Sequence, residues 1–194
     1  MKTKLLAFLL LSTTLFAQTP PFELFCVSDL VKVFEDGYKL PERTNSIDIF
    51  GIRGEVLSAQ MVVHTLADLR DIQVIVGSLS SADLRAAIPA LNISYSFVRS
   101  IPVKVNTDIA RGESLLRKAP ALFPDYLSDE RRIALKKDRY QSIWLTIQIP
   151  KDAVPGSYSG TVKVVADKAT QSVDVRLSVY PLTMPDKSNL YTTN

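Results

Sequence analysis

The sequence is poor in cysteine and histidine, two residues that often carry catalysis or metal binding. It contains one of each, Cys26 and His64. A lone cysteine cannot form a disulfide within the chain, and we expect it to be a buried thiol on an N-terminal strand. One cysteine and one histidine on different strands lack the ligand spacing of a zinc site. The sequence also lacks a phosphate-binding glycine loop, so we assign no metal and no cofactor.

A nucleophile elbow is missing too, together with the glycine loop that would form an oxyanion hole. His64 could in principle serve a Ser-His-Asp arrangement, which would make the chain a small hydrolase. Its position in the middle of a predicted strand favours a simpler interpretation. We expect a histidine that is held by hydrogen bonds within the strand.

The chain has neither a strong net charge nor an apolar run of membrane-spanning length. Its formal charge is +3, and removal of Lys2 and Lys4 with the leader described next leaves 21 basic and 20 acidic side chains. A nearly neutral domain has no long-range attraction for polyphosphate, which argues against binding to nucleic acid.

Residues 1–17 are typical of a cleavable signal peptide. Two lysines precede the apolar run Leu5–Leu15, and Ala17 supplies a small residue at the cleavage position. The run is about half of the ~20 residues that cross a bilayer, so we expect no membrane anchor after cleavage. These features predict a secreted or periplasmic protein that is cut near Ala17.

Apolar and polar residues alternate strictly in the C-terminal half. The apolar positions are Ile143, Leu145, Ile147 and Ile149, then Val162 and Val164, then Val173, Val175, Leu177 and Val179. This period predicts strands with one face in a core and one in water. About eight or nine such strands with short turns favour an all-β fold, an antiparallel two-sheet sandwich of the Ig-like or jelly-roll-like type. We expect it to span residues 18–183, with a linker over 184–194.

Three segments depart from the strand pattern. Ser80–Ile88 and Ser128–Lys137 each predict a short helix, and the prolines of Ala119–Asp129 predict a loop. Pro102 interrupts the predicted strand Leu91–Val105, which indicates an edge or a bulge there.

Carboxylates are candidates for chemistry because glycosidic cleavage generally uses a pair of them. Glu55, Asp125, Asp129 and Glu130 are the candidates, but no spacing marks two of them as partners across a cleft. Structural roles compete for Glu55, Asp129 and Glu130. Glu55 would make a hydrogen bond or ion pair, and Asp129 and Glu130 would complement a helix dipole. We therefore assign no catalytic residue.

A basic cluster and three aromatic residues are candidates for binding. The cluster comprises Arg131, Arg132, Lys136, Lys137 and Arg139, and the aromatic residues are Tyr126, Tyr140 and Trp144. The basic cluster could bind an anionic glycan, but interleaved acidic residues favour a solvated face. The aromatic side chains could stack on a sugar ring or belong to the core.

Several motifs, in their order and spacing, resemble the N-terminal sandwich of glycoside hydrolase family 123 and of proteins with a DUF4091 region. The similarity runs from about Leu24 to Pro185. The motifs are Gly51–Glu55, Ser58–Val63, Leu69–Leu79, Phe123–Leu127, Ile143–Pro150, Ala153–Tyr158 with Gly160, and Val179–Pro185.

The resemblance implies a β-sandwich that precedes a (β/α)8 barrel in a β-N-acetylgalactosaminidase-like enzyme. In that family the barrel carries the catalytic acid and the carboxylate that assists the substrate's N-acetyl group. No position of this chain matches those residues, so none is carried over. The expectation is a non-catalytic accessory or scaffold domain of an exported glycoside hydrolase-like protein, partnered by the barrel of the same parent. The alternative is a self-standing exported sandwich that binds glycan or protein.

Overall fold

A computed structural model describes residues 19–83, 85–107 and 115–187. The predicted signal peptide, residues 1–17, lies outside these ranges, as do residues 188–194 of the predicted linker. Within them, no helix is long and apolar enough to cross a membrane.

Strands make up nearly all of the regular structure. Their bounds are β1 Phe22–Val27, β2 Ser46–Arg53, β3 Val56–Thr65, β4 Leu69–Val76, β5 Leu79–Ser81, β6 Ala87–Ile88, β7 Ile93–Val103, β8 Ala121–Ser128, β9 Ile133–Leu135, β10 Tyr140–Gln148, β11 Gly156–Ala166 and β12 Ala169–Thr183. One 3-10 turn, Ala90–Asn92, precedes β7.

The strands form two sheets, which confirms the predicted sandwich. The first has the order β1-β3-β10-β7-β8, and the second has the order β2-β12-β11-β4-β9, with β5 and β6 attached to β11. Every pairing is antiparallel except that of β2 with β12, which is parallel. More than a hundred residues separate these two strands, so no tight turn forces them to be antiparallel.

The core lies between the sheets and follows the predicted alternation. Ile143, Leu145 and Ile147 of β10 are fully buried, and β12 buries Val173, Val175, Leu177 and Val179 against them in one cluster. The intervening residues of both strands face outward. Period-two patterning therefore fixed both the strands and the direction of their side chains.

Both predicted helices are wrong. Ser80–Ile88 contains the end of β5 and all of β6. Leu84, between these two strands, lies outside the described residues. Ser128–Lys137 holds β9, which pairs with β4. Segments this short are marginal as helices alone, since isolated helices need about 12–15 residues. Pairing with neighbouring strands decides their conformation instead.

The loop predicted over Ala119–Asp129 is also wrong, because it contains β8. This strand is the edge of the first sheet, where a proline is tolerated. Arg99 of β7 pairs with Tyr126, whereas Ser100 pairs with Pro124, so Asp125 is the extra residue of a bulge. The edge predicted at Pro102 is confirmed, since the C-terminal part of β7 pairs with β8 and not with β10.

A smaller apolar cluster covers the outer face of the first sheet. The connection between β1 and β2, residues 28–45, folds over this face and is called the β1–β2 segment below. Its Val33 packs with Phe25, Val27 and Val62. The first sheet is thus covered on both faces around β1 and β3.

Candidate functional site

A groove of about 380 Å³ opens on the outer face of the first sheet, between the β1–β2 segment and β8. Trp144 reaches it because this residue alternates with the core residues of β10 and so points outward. Leu30 and Leu127 supply apolar walls. Lys32 and Asp125 also line the groove, which combines an aromatic side chain with charges of both signs.

Buried polar side chains fix the β1–β2 segment beside this groove. The Gln60 amide nitrogen donates to the carbonyl oxygens of Ser28, at 2.9 Å, and Val31, at 3.1 Å. The Ser142 hydroxyl donates to the Gln60 carbonyl oxygen. On the other side, the Lys32 ammonium group donates to the Pro124 carbonyl at 2.8 Å.

Asp29 brings a second carboxylate to the groove and accepts a hydrogen bond from the Ser58 hydroxyl. No buried side-chain nitrogen or oxygen in the described part of the chain lacks a partner. The polar groups of the groove are therefore either satisfied by protein or open to solvent.

Two of the other candidate carboxylates, Glu55 and Glu130, have structural partners. Glu55 accepts a 2.8 Å hydrogen bond from the Ile52 backbone in the β2–β3 turn, as one of its predicted roles required. Glu130 lies 2.9 Å from the Arg99 guanidinium and accepts from the Ser128 hydroxyl. The predicted helix-dipole role of Asp129 and Glu130 is wrong, because no helix begins there.

His64 is a hydrogen-bonded strand residue, as predicted. Its Nδ1 lies 3.2 Å from the Glu23 carboxylate, and its ring stacks on Tyr140 with centroids 4.2 Å apart and planes 2° apart. The hydrogen bond from His64 is the main cause that lowers the pKa of Glu23, and Arg43 adds to it. These contacts give His64 a structural role, because its contact with Glu23 links β3 to β1.

Cys26 is the buried thiol that the sequence predicted. It belongs to the main core cluster, and burial raises its pKa to about 12, with a smaller contribution from the Asp48 carboxylate. A thiol held in its neutral form is a poor nucleophile and a poor metal ligand. Among the described residues, no three His, Cys, Asp or Glu side chains converge to hold a metal ion.

The basic cluster is dispersed over separate contacts. Arg132 pairs with Asp71 and Lys136 pairs with Asp68, both at 2.7 Å, and Arg131 lies over the ring of Tyr95. These pairs support the predicted solvated face.

The three candidate aromatic residues are distributed among different surroundings. Trp144 lines the groove, Tyr140 stacks on His64, and Tyr126 lines a neighbouring polar depression without lining the groove. Sequence reasoning missed Asp29, Lys32 and Gln60. No local signal marks them, because their meeting with Trp144 depends on how the β1–β2 segment folds over the sheet.

The family model for the glycoside hydrolase 123 N-terminal domain matches residues 35–166, about two thirds of the chain. A search of curated proteins found no match. The chain is similar to a solved family 123 glycoside hydrolase from Clostridium perfringens, described in terms of glycolipid glycan hydrolysis, with 20% identity and a TM-score of 0.71. That similarity covers 84% of this chain and 28% of the enzyme.

The chain therefore spans little more than a quarter of that enzyme's length, and the likeness concerns the fold. A weaker similarity links it to the CooA pilin subunit of enterotoxigenic Escherichia coli, at 16% identity and a TM-score of 0.41. It covers 84% of this chain and 100% of the pilin, but a score of this size supports no argument.

Proposed function

The chain belongs to the family of glycoside hydrolase 123 N-terminal domains, and from this premise we propose that it is the non-catalytic accessory domain of an exported glycoside hydrolase-like protein. One observation carries the proposal. The sandwich aligns over 84% of its own length with only 28% of a family 123 enzyme. A domain that corresponds to a minor part of an enzyme fits a supporting role better than a complete catalytic unit.

The contacts of the candidate residues support the same proposal. Glu55, Glu130 and His64 are each engaged in contacts that hold strands or turns together. In the proposed parent, the cleavage of β-N-acetylgalactosaminides would be carried out by carboxylates of a C-terminal (β/α)8 barrel. The sandwich would rigidify that barrel from one side. Export rests on the leader sequence of residues 1–17 and is part of the proposal.

The reading frame beyond Asn194 and two activity assays test this function. We expect the frame to continue into a region of several hundred residues. The 194-residue chain should fold cooperatively yet give no turnover of an aryl N-acetyl-β-galactosaminide, whereas the longer product should hydrolyse it. Turnover by the 194-residue chain alone would refute the accessory role, and a stop codon directly after Asn194 would refute the larger parent.

The groove favours a second candidate function, the binding of a glycan. Its volume of about 380 Å³ lies within the range of roughly 300–1,000 Å³ of small-molecule sites. Trp144 offers a ring face for stacking, while Asp125 and Lys32 offer an acceptor and a donor for hydroxyl groups. The sandwich would then deliver the parent enzyme to its substrate or act alone.

Titration of Trp144 fluorescence tests this second candidate directly, because the chain contains one tryptophan. N-acetylgalactosamine and short oligosaccharides that contain it are the probes. Binding should be lost in Asp125→Ala and retained in Asp129→Ala, a matched exposed carboxylate that does not line the groove. Unchanged fluorescence at millimolar sugar would eliminate the groove as a site for these sugars.

A further inference from the structure

An apolar patch lies at the end of the second sheet where the described chain leaves the sandwich. It consists of Phe50, Tyr180, Leu182 and Met184, which are 70%, 50%, 63% and 41% exposed. We call it the exit patch. Phe50 of β2 and Tyr180 of β12 meet edge to face, with ring centroids 6.0 Å apart. Large apolar side chains that are exposed together mark surfaces that another surface covers.

The backbone at the exit patch is also partly unpaired. The pairing of β12 with β11 ends at Val179, and beyond it Tyr180 and Thr183 pair with β2 alone, with a register shift between them. One side of this stretch is an open sheet edge, which soluble proteins protect by covering it or by interrupting its donors. Pro181 removes one donor there.

The exit is held in a defined direction. The Met184 backbone nitrogen donates to the Arg53 carbonyl at 2.8 Å, and the Arg53 side chain donates to the Leu182 carbonyl at 3.3 Å. Met184 lies against Gly54, whose positive φ of 81° forms the β2–β3 turn. Lys151 pairs with Asp186 just beyond. These contacts set where the following residues begin.

We propose that the exit patch is the docking surface for the domain that follows this sandwich in the same polypeptide. The inference rests on the proposed function, and it adds which surface makes the contact. The described chain leaves the sandwich at this patch, and this chain covers only 28% of the similar enzyme, which leaves most of that enzyme outside the sandwich. Arg176 and Asp48, an exposed ion pair on β12 and β2, supply charge beside the patch, as at the rim of an interface.

The small size of the patch favours a tethered partner. Stable complexes between separate proteins use roughly 20–30 residues on each side. Four apolar side chains are far fewer than a second copy or a free partner requires. A domain joined through a short connection is held at high effective concentration, so a modest contact is enough to keep it docked.

Hydrogen exchange in the 194-residue chain and in the longer product tests the docking. We expect about tenfold slower amide exchange over Tyr180–Met184 in the longer product, because the docked domain covers the open edge. Peptides from β7 and β8 on the first sheet should exchange equally in both. Equal exchange of Tyr180–Met184 in an active longer product would overturn the docking while leaving the proposed function intact.

A pair of substitutions sharpens the test. Phe50→Thr with Tyr180→Thr removes both rings and keeps residues that suit a strand. In the longer product we expect this variant to lose the exchange protection and to unfold in two thermal transitions. Ile75→Thr, which alters an exposed residue of β4 in the same sheet, should change neither measurement. If the double variant fails to fold, the comparison of hydrogen exchange between the unaltered 194-residue chain and the unaltered longer product still tests the docking.

Two further outcomes would overturn the proposal. Sedimentation of the 194-residue chain as a dimer that Phe50→Thr dissociates would show that the patch binds a second copy. A reading frame that stops at Asn194 would remove the proposed occupant together with the larger parent. A longer product that is docked but hydrolyses no glycoside would instead refute the proposed function and support the docking.

Discussion

Replacement of Gln60 by leucine should destabilise the domain by about 3 kcal/mol. The side chain is buried and makes three hydrogen bonds, two to backbone carbonyls of the β1–β2 segment and one from Ser142. Each such bond contributes a net ~1 kcal/mol, and a partner left buried without a bond adds to the loss. Leucine has a similar size, so the change removes the polar contacts and leaves little empty volume.

The loss should be largest at Ser142, which is only 4% exposed and cannot turn its hydroxyl to water. Ser142→Ala in the Gln60→Leu background removes that unpaired group. The double variant should therefore be more stable than Gln60→Leu alone, by about 1 kcal/mol, and the double-mutant cycle should give a coupling energy of at least about 1 kcal/mol.

Urea unfolding followed by circular dichroism measures these free energies. Fluorescence of Trp144 reports the groove separately, because this residue pairs with Gln60 across β10 and β3. Gln60→Leu should also speed limited proteolysis within residues 28–33, where two of its bonds anchor the segment. A Gln60→Leu protein within about 0.5 kcal/mol of the unaltered protein would refute the reasoning, because the bonds would then contribute nothing net.

Three other experiments have defined outcomes. Gly160→Ala should cost about 1–3 kcal/mol in urea unfolding, because its methyl would lie 2.6 Å from a backbone oxygen, whereas Gly77→Ala, with its nearest such atom at 3.4 Å, should cost little. Asp36→Asn should lower stability at neutral pH by about 0.5 kcal/mol. The bond from Arg117 lowers the pKa of Asp36, so its stabilisation is complete above the ordinary 3.8 and disappears as the pH falls through the lowered value. Cys26 should resist a thiol reagent in the native protein and react fully in urea.

Each of these has a clear contrary result. Equal stability of the two glycine variants would mean that the β11 backbone relaxes around the methyl group. A difference between Asp36→Asn and the unaltered protein that persists at pH 2 would show that charge is not its origin. Stoichiometric labelling of the native thiol would show that β1 opens readily from the sheet.

The strands β10, β11 and β12 were predictable because a strand that buries one face has alternating apolar and polar residues, which the local sequence shows directly. Ser80–Ile88 and Ser128–Lys137 were misread because their conformation is decided by distant partners. β5 pairs with Tyr158 and Ser159 of β11, and β9 pairs with β4. Helix propensity is a weak preference that such pairing overrides.

β8 was missed for a different reason. Pro120 and Pro124 indicate a loop when the neighbours are unknown, yet an edge strand with a bulge accommodates Pro124. Pro124 lies beside that bulge, and Asp125 is the inserted residue. The bulge also places the Asp125 carboxylate at the groove. The same departure from regular pairing is therefore why neither the strand nor the place of Asp125 in the candidate site was predicted.

The candidate site was predictable only in fragments. Trp144 and Asp125 stood out by residue type, whereas Asp29 and Lys32 meet them through the path of the β1–β2 segment. That path depends on a buried amide and a lysine-to-carbonyl bond between residues far apart in sequence. Such contacts leave no periodic trace, so a single sequence cannot reveal them.

The position of β12 between β2 and β11 has a consequence for biosynthesis. Of the described strands, β12 is made last, and it joins the earliest strand of its sheet, β2, to the rest. Until Thr183 has emerged from the ribosome, β2 and β11 each expose an unpaired edge. The second sheet is therefore completed late, and chaperones that bind unfolded chain can act throughout the synthesis of the preceding strands.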